Sequence, residues 1–292
     1  MQAAYRHISV LARELMEGLA VCENGVYLDA TVGGGGHSEL ILATPDTRII
    51  AIDRDEQAIA ATQARLESYG DRISFWQGNF ADYDPGAQKF NGIIADFGVS
   101  SAQLDQPDRG FSFRHEAPLD MRMDQRHPRT AADLINRSSE RALADIFYLY
   151  GEERFSRRIA KHIVNCRPFT TTTQLADAIA QIMPRHKTGR TRGTFIHPAT
   201  RVFQGLRIAV NEELSSIEKF LAKAPLWLIP GGRIGVISFH SLEDRIAKHT
   251  LRGTECLKIL TPKPICAQPD ELRENPRSRS AKLRVAERKA LV

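Results

Sequence analysis

The 292-residue chain has no apolar run near the roughly eighteen residues that a membrane helix needs. Its first residues also lack the apolar core of a secretory leader, carrying Arg6, His7, Arg13 and Glu14 instead. The expectation is a cytoplasmic protein with no membrane partner. Cysteine is scarce: Cys22, Cys166, Cys256 and Cys266 form no CxxC pair, and no His stands at ligand spacing from them. Neither a disulfide framework nor a zinc site is expected, and no metal is assigned; free buried thiols fit this pattern better. Internal repeats and low-complexity tracts are missing too.

What the chain does have is an uneven charge. The net charge is +5, but residues 105–204 hold 17 Lys/Arg against 11 Asp/Glu, and residues 273–292 hold 7 against 2. An acidic body carrying two basic segments suits a polyanionic partner, although two ordinary solvated faces would look the same.

The first hundred residues alternate β-branched runs with helical patterns. VYLDAT (26–31), RIIAIDRD (48–55), ISFWQGNF (73–80) and GIIADFGVS (92–100) read as strands. Strand, helix, strand in succession implies right-handed crossovers and a parallel sheet. After Ser101 the pattern gives way to an Arg-rich loop and helices, one with Leu143, Ile146, Phe147 and Tyr150 on one stripe, another with Leu175, Ile179, Ile182 and Met183. Strand signals return at GGRIGVISFHS (231–241) and LRVAERK (283–289), and the Pro-rich stretch at 261–280 reads as an extended surface connection. The expected architecture is an α/β core in two parts, 1–104 and 205–292, interrupted by a helical substrate-recognition insertion at 105–204.

The stretch DATVGGGGHS follows the first strand, and three ligand classes use such a glycine turn. A P-loop needs GxxxxGK[ST], and no Lys follows. A dinucleotide fingerprint needs GxGxxG, whose third glycine would fall on His37 or Ser38. The third class is S-adenosylmethionine, with an acid, Asp29, at the end of the first strand. Asp53, about twenty residues on and at the end of the second strand, can accept from both hydroxyls of a ribose; otherwise it is a helix cap or a solvated acid. Asp96, ending strand four, points where a group would be transferred in an open sheet. A carboxylate there can hold an exocyclic amine whose lone pair is delocalised into a base.

The motifs YRHISVL, GGGGHS, AIDRD, DFGVSSAQLD, RGFSF, PLDMRMD, YGEERF, HPATRVFQGLRI, ISFHSLEDR and ENPRSRSAKLR occur in this order nearly end to end. Together they make the chain resemble the bacterial 16S ribosomal RNA (cytosine-N4)-methyltransferases. The resemblance implies a Rossmann-like class I S-adenosylmethionine-dependent methyltransferase core with a helical insertion. It also implies methylation of a cytidine N4 in the decoding region of 16S rRNA, in the small ribosomal subunit. Carried over by position, it assigns cofactor contacts to Gly35, Gly36, His37, Asp53, Phe80, Asp96 and Gln103, with Asp96 also catalytic. Phe80 would pack beside the adenine or else belong to the core. Gly34 departs from the family, which often has a bulkier residue there, and this would leave the loop more flexible. A non-catalytic RNA-binding or assembly factor and a DNA cytosine-N4 methyltransferase stand as alternatives.

Two further groups carry expectations. Phe111 and Phe113 with Arg109, Arg114 and Arg122 could stack a base and pair phosphates, or the phenylalanines could seat the insertion on its core. Arg201, Arg277, Arg279, Lys282 and Arg284 are phosphate candidates. Ser238 and His240 end strand five near the crevice, in a base-orienting or structural role; no GxSxG elbow supports a hydrolase.

Overall fold

A computed structural model describes residues 9–183 and 197–290. Arg6, His7 and the beginning of the YRHISVL motif lie outside them. The strands are β1 (Val26–Asp29), β2 (Arg48–Asp53), β3 (Ile73–Gln77), β4 (Phe90–Asp96), β5 (Leu228–Ser238), β6 (Leu257–Ile259), β7 (Ile265–Cys266) and β8 (Lys282–Arg288). The helices are α1 (Ala12–Leu19), α2 (Gly36–Leu42), α3 (Glu56–Arg65), α4 (Ser101–Asp105), α5 (Ala131–Arg137), α6 (Glu140–Leu149), α7 (Ser156–Cys166), α8 (Thr172–Ile182), α9 (Ala199–Asn211), α10 (Glu213–Trp227), α11 (Ser241–Gly253) and α12 (Pro269–Glu274).

The chain forms two compact units, one from residues 1–100 with 214–292 and one from 101–213. The divisions expected at 104/105 and 204/205 would cut through α4 and α9. The units part instead just before α4 and at the very start of α10, one residue past Glu212, which ends α9 with φ 51°.

In the first unit the sheet runs β3-β2-β1-β4-β5-β8-β6, with β7 also on β8. β1 to β5 are parallel, and β8 is antiparallel to β5, β6 and β7. This is a Rossmann-like order. Reversal about β1 and β4 leaves the carboxyl ends of these strands side by side, which is where such sheets bind ligands. Alternation sends Leu28, Ile93 and Val236 to one apolar cluster and Tyr27, Ile94 and Ile237 to the other, so both faces are covered. The first cluster takes Phe220 and Trp227 of α10; the second takes Leu11 and Leu15 at the start of the described chain.

The second unit is helical. Leu143 and Phe147 of α6, Ile159 and Ile163 of α7, Leu175 and Ile179 of α8, and Val202 and Leu206 of α9 are buried in it. Ile146, Tyr150, Ile182 and Met183 complete their stripes only partly buried. Thr130 and Asp133 close a capping box on α5, as Thr171 and Gln174 do on α8, which is how these short helices settle their first N–H groups.

Two expectations need correction. The stretch 261–280 is not merely extended: it contains β7, α12 and a 3-10 turn at Pro276–Ser280. Pro269 and Pro276 sit at the starts of the two helical turns, where a missing N–H costs nothing. The four thiols are free but not buried, because Cys22, Cys166 and Cys266 are exposed and Cys256 is intermediate. Among the described residues no helix is long and apolar enough to cross a membrane.

Candidate active site

Asp29 ends β1 with its side chain enclosed. Its Oδ2 accepts from the Ser38 hydroxyl at 2.7 Å and its Oδ1 from the Thr31 N–H at 3.1 Å, so the acid ties the strand end to α2. Burial pushes its pKa up to about 6, and these two hydrogen bonds oppose the rise. Between them the glycine loop turns back on the sheet. The Gly35 N–H donates to the Val32 carbonyl at 2.7 Å, with Gly33 and Gly35 at φ 48° and 75°. A Cβ on Gly35 would come within 2.7 Å of the Thr62 methyl, and one on Gly36 within 2.0 Å of the Ser9 hydroxyl. At Gly35 the left-handed backbone and the close Thr62 side chain together favour glycine.

The loop is fastened to the second crossover. Thr62 Oγ1 donates to the Gly33 carbonyl and Arg65 Nη1 to the Gly34 carbonyl, each at 2.7 Å. The Gly34 backbone is thus anchored to α3 through Arg65.

Asp53 ends β2 and faces the same loop. Its Oδ2 accepts from the Gly33 N–H and its Oδ1 from the Asp55 N–H, both at 2.9 Å. Asp55, not Asp53, caps α3, through the Gln57 N–H. Burial raises Asp53 to about 6, against the two backbone hydrogen bonds. Each of its oxygens keeps a lone pair beyond these bonds, so the carboxylate can still accept from a diol. Phe80, after β3, is half-buried: Phe220 and Phe97 lie 5.2 and 5.7 Å from it, ring centre to ring centre, and the Arg54 guanidinium carbon lies 5.8 Å from its ring centre.

Asp96 ends β4. Its N–H donates to Thr31 Oγ1 at 2.7 Å, which fixes the backbone, while Oδ1 is buried with no hydrogen-bond partner among the described residues. Its pKa is raised well above the usual carboxylate range, first by burial and then by the charges of Asp29 and Glu243. His37 Nδ1 stands 3.9 Å from Asp96 Oδ2, and His37 Nε2 donates to the Val10 carbonyl at 2.9 Å. Burial lowers the His37 pKa, so the ring is neutral near pH 7 and does not cancel the Asp96 charge.

Gly35, Gly36, His37, Asp53, Phe80 and Asp96 thus share the carboxyl edge of one sheet. Gln103 lies in the second unit, buried on α4. Sequence reasoning missed Thr31 and Glu243. Glu243 is fully buried, accepts from the Phe239 N–H at 2.7 Å and the His240 N–H at 3.2 Å, and lies 3.7 Å from where a Cβ on Gly98 would sit. The capping-box spacing from His240 to Glu243 was the available signal. His240 is placed structurally: its Nδ1 accepts the Glu243 N–H at 3.4 Å and caps α11. Ser238 is buried, with its hydroxyl 3.5 Å from the Lys282 carbonyl.

Several expected RNA contacts are engaged internally. Arg109 is buried and donates to the Arg122 and Met123 carbonyls at 3.0 and 2.9 Å. Arg122 is paired with Asp120 at 2.7 Å, and Phe113 packs on His197 and Phe203. Phe111 is buried, so the two phenylalanines hold the second unit together, while Arg114 and Arg201 are exposed. Arg284, buried, pairs with Asp244 at 2.7 Å, and Lys282, partly exposed, stands 3.4 Å from the same carboxylate. Arg277 is partly buried and Arg279 exposed.

The model of the MraW methylase family matches residues 4–289 of this chain. Proteins named ribosomal RNA small subunit methyltransferase H are similar over its whole length. That of Gloeothece citriformis is 64% identical over 98% of this chain and 95% of its own length. That of Rippkaea orientalis is 64% identical, covering 98% and 93%, and that of Acaryochloris marina 64%, covering 98% and 95%.

Proposed function

Because this chain belongs to the MraW methylase family, we propose that it is an S-adenosylmethionine-dependent methyltransferase acting on N4 of a cytidine in the decoding region of 16S ribosomal RNA. The observation that carries the reading is Asp96 Oδ1, a buried acceptor with no partner among the described residues, at the end of β4 beside the glycine loop. An unpaired buried acceptor is costly, and an amine N–H from the substrate would satisfy it.

The residues suit the cofactor. Asp53 offers acceptors for the ribose hydroxyls, Phe80 a ring for the adenine, and Gly35, Gly36 and His37 a backbone that a ligand can approach without meeting side chains. Gln103, assigned to the cofactor by its position in the sequence, lies in the second unit. Bound there, S-adenosylmethionine supplies an electrophilic methyl group. The chain's own task is to orient the amine. A carboxylate at Asp96 accepts one N–H of the cytosine amino group, which holds the nitrogen in place and aligns it with the methyl group. The neutral His37 adds no positive charge beside it, and Oδ1 is left open to the amine.

The second unit is the proposed substrate-recognition part, and the place of action is the cytoplasm, with the small subunit RNA as partner. Calorimetric titration tests the cofactor half. S-adenosylmethionine should bind the wild-type protein, and Asp53→Ala should weaken binding ten- to hundredfold, the equivalent of about 1.5–3 kcal/mol for hydrogen bonds to a charged group. Equal affinity in a folded Asp53→Ala variant would remove Asp53 from the site.

A further inference from the structure

The YGEERF motif takes no part in the site above, yet the second unit builds it into a fixed turn between α6 and α7. The Tyr150 carbonyl accepts from Gln204 Nε2 at 3.0 Å, and a Cβ on Gly151 would lie 2.4 Å from the Arg201 carbonyl. Glu152 adopts φ 50°, a left-handed conformation that a non-glycine residue holds only where its surroundings impose it. Glu153 is buried, its N–H donates to the Phe147 carbonyl at 3.0 Å, and its Oε1 accepts from the Phe155 N–H at 2.8 Å.

The effect of this scaffolding is to turn Arg154 and Phe155 outward. Phe155 is 44% exposed, and Tyr148, at the end of α6, is 62% exposed. An aromatic ring in water loses its burial energy, so a backbone conformation of positive φ that presents one implies a partner. Along α7, Ile159, Ala160 and Ile163 face the core, which leaves Arg157, Arg158 and Lys161 on the open side. From 148 to 161 four exposed cations stand against one exposed acid, Glu152. That balance favours a polyanion over a protein surface.

We propose that Tyr148 and Phe155, with Arg154, Arg157, Arg158 and Lys161, form a docking surface for single-stranded RNA, with bases stacked on the rings and phosphates on the cations. The inference rests on the reading of ribosomal RNA as substrate. Flat, exposed rings interleaved with unsaturated cations are the features that sequence-tolerant single-strand binding requires. The surface is distinct from the RGFSF stretch, where Arg109 and Phe111 are buried and Phe113 packs on His197 and Phe203.

Fluorescence anisotropy with a labelled single-stranded oligonucleotide from small-subunit ribosomal RNA, over a range of salt, tests it. Arg157→Gln combined with Arg158→Gln should weaken binding and flatten the slope of log affinity against log salt by about 0.7 per cation removed. Phe155→Ala should lose about fivefold or more with the slope unchanged, and Arg158→Lys should keep the slope. All substituted residues are exposed, so circular dichroism should match the wild type. Wild-type affinity and slope in both the double variant and Phe155→Ala would overturn the proposal. So would sedimentation showing a dimer that Phe155→Ala dissociates, since a second copy would then cover the surface. Methyl transfer to the same RNA is followed in parallel. Transfer with unaltered binding by the variants sinks the docking surface alone, and weakened binding without any transfer by the wild type sinks the activity alone.

Discussion

Asp96 is where the protein keeps a charge that its fold solvates poorly. Because burial, Asp29 and Glu243 raise its pKa in the folded state, the folded protein holds this proton to higher pH than the unfolded chain. The contribution to stability is present below the ordinary carboxylate range and is lost as pH rises through that range toward the raised value. Without added cofactor, Asp96→Asn should therefore melt higher than the wild type above neutral pH, and the difference should close as the pH is lowered toward 4, while methyl transfer is lost throughout. Thermal melts across pH check this; a wild type more stable than Asp96→Asn at pH 8 would mean that the carboxylate is not an electrostatic burden. Asp53 and Asp96 were legible in the sequence because each closes a β-branched strand. Glu243 was not, because His240 is outside the usual set of capping residues, Ser, Thr, Asp and Asn, and its capping-box spacing is easily passed over. The arginines of RGFSFRHEAPLDMRMD misled for a different reason: Arg109 binds carbonyls thirteen and fourteen residues away, which composition does not display.

Among the elements, the parallel strands announced themselves by apolar runs, since burial on both faces demands them. The strands β6 and β7 did not, being only three and two residues long and held at the edge by β8. The join of α6 to α9 through Gly151 was equally silent, because what excludes a side chain there is the backbone of Arg201 and Phe147. Gly151→Ala should cost about 1–3 kcal/mol by overpacking. Urea unfolding should show a lower midpoint; an unchanged midpoint would mean that α6 and α9 are not in contact at this glycine.

At the scale of the whole molecule, the sequence divided the chain into a sheet-forming part and a helical part for sound reasons of periodicity, but its boundaries fell inside α4 and α9. Helix ends are set by caps and packing that periodicity does not resolve, and the turn at Glu212 carries no glycine to mark it. The chain belongs to the MraW methylase family, and the proposed target is one cytidine of the small-subunit RNA. The most direct measurement is mass spectrometry of ribosomal RNA from a strain lacking this gene, before and after incubation with the purified protein and S-adenosylmethionine, with Asp96→Ala as the control. The account predicts a single N4-methyl mark on a cytidine that returns with the wild-type protein and not with the variant. An unchanged mark in the strain without the gene, or its return with Asp96→Ala, would contradict it.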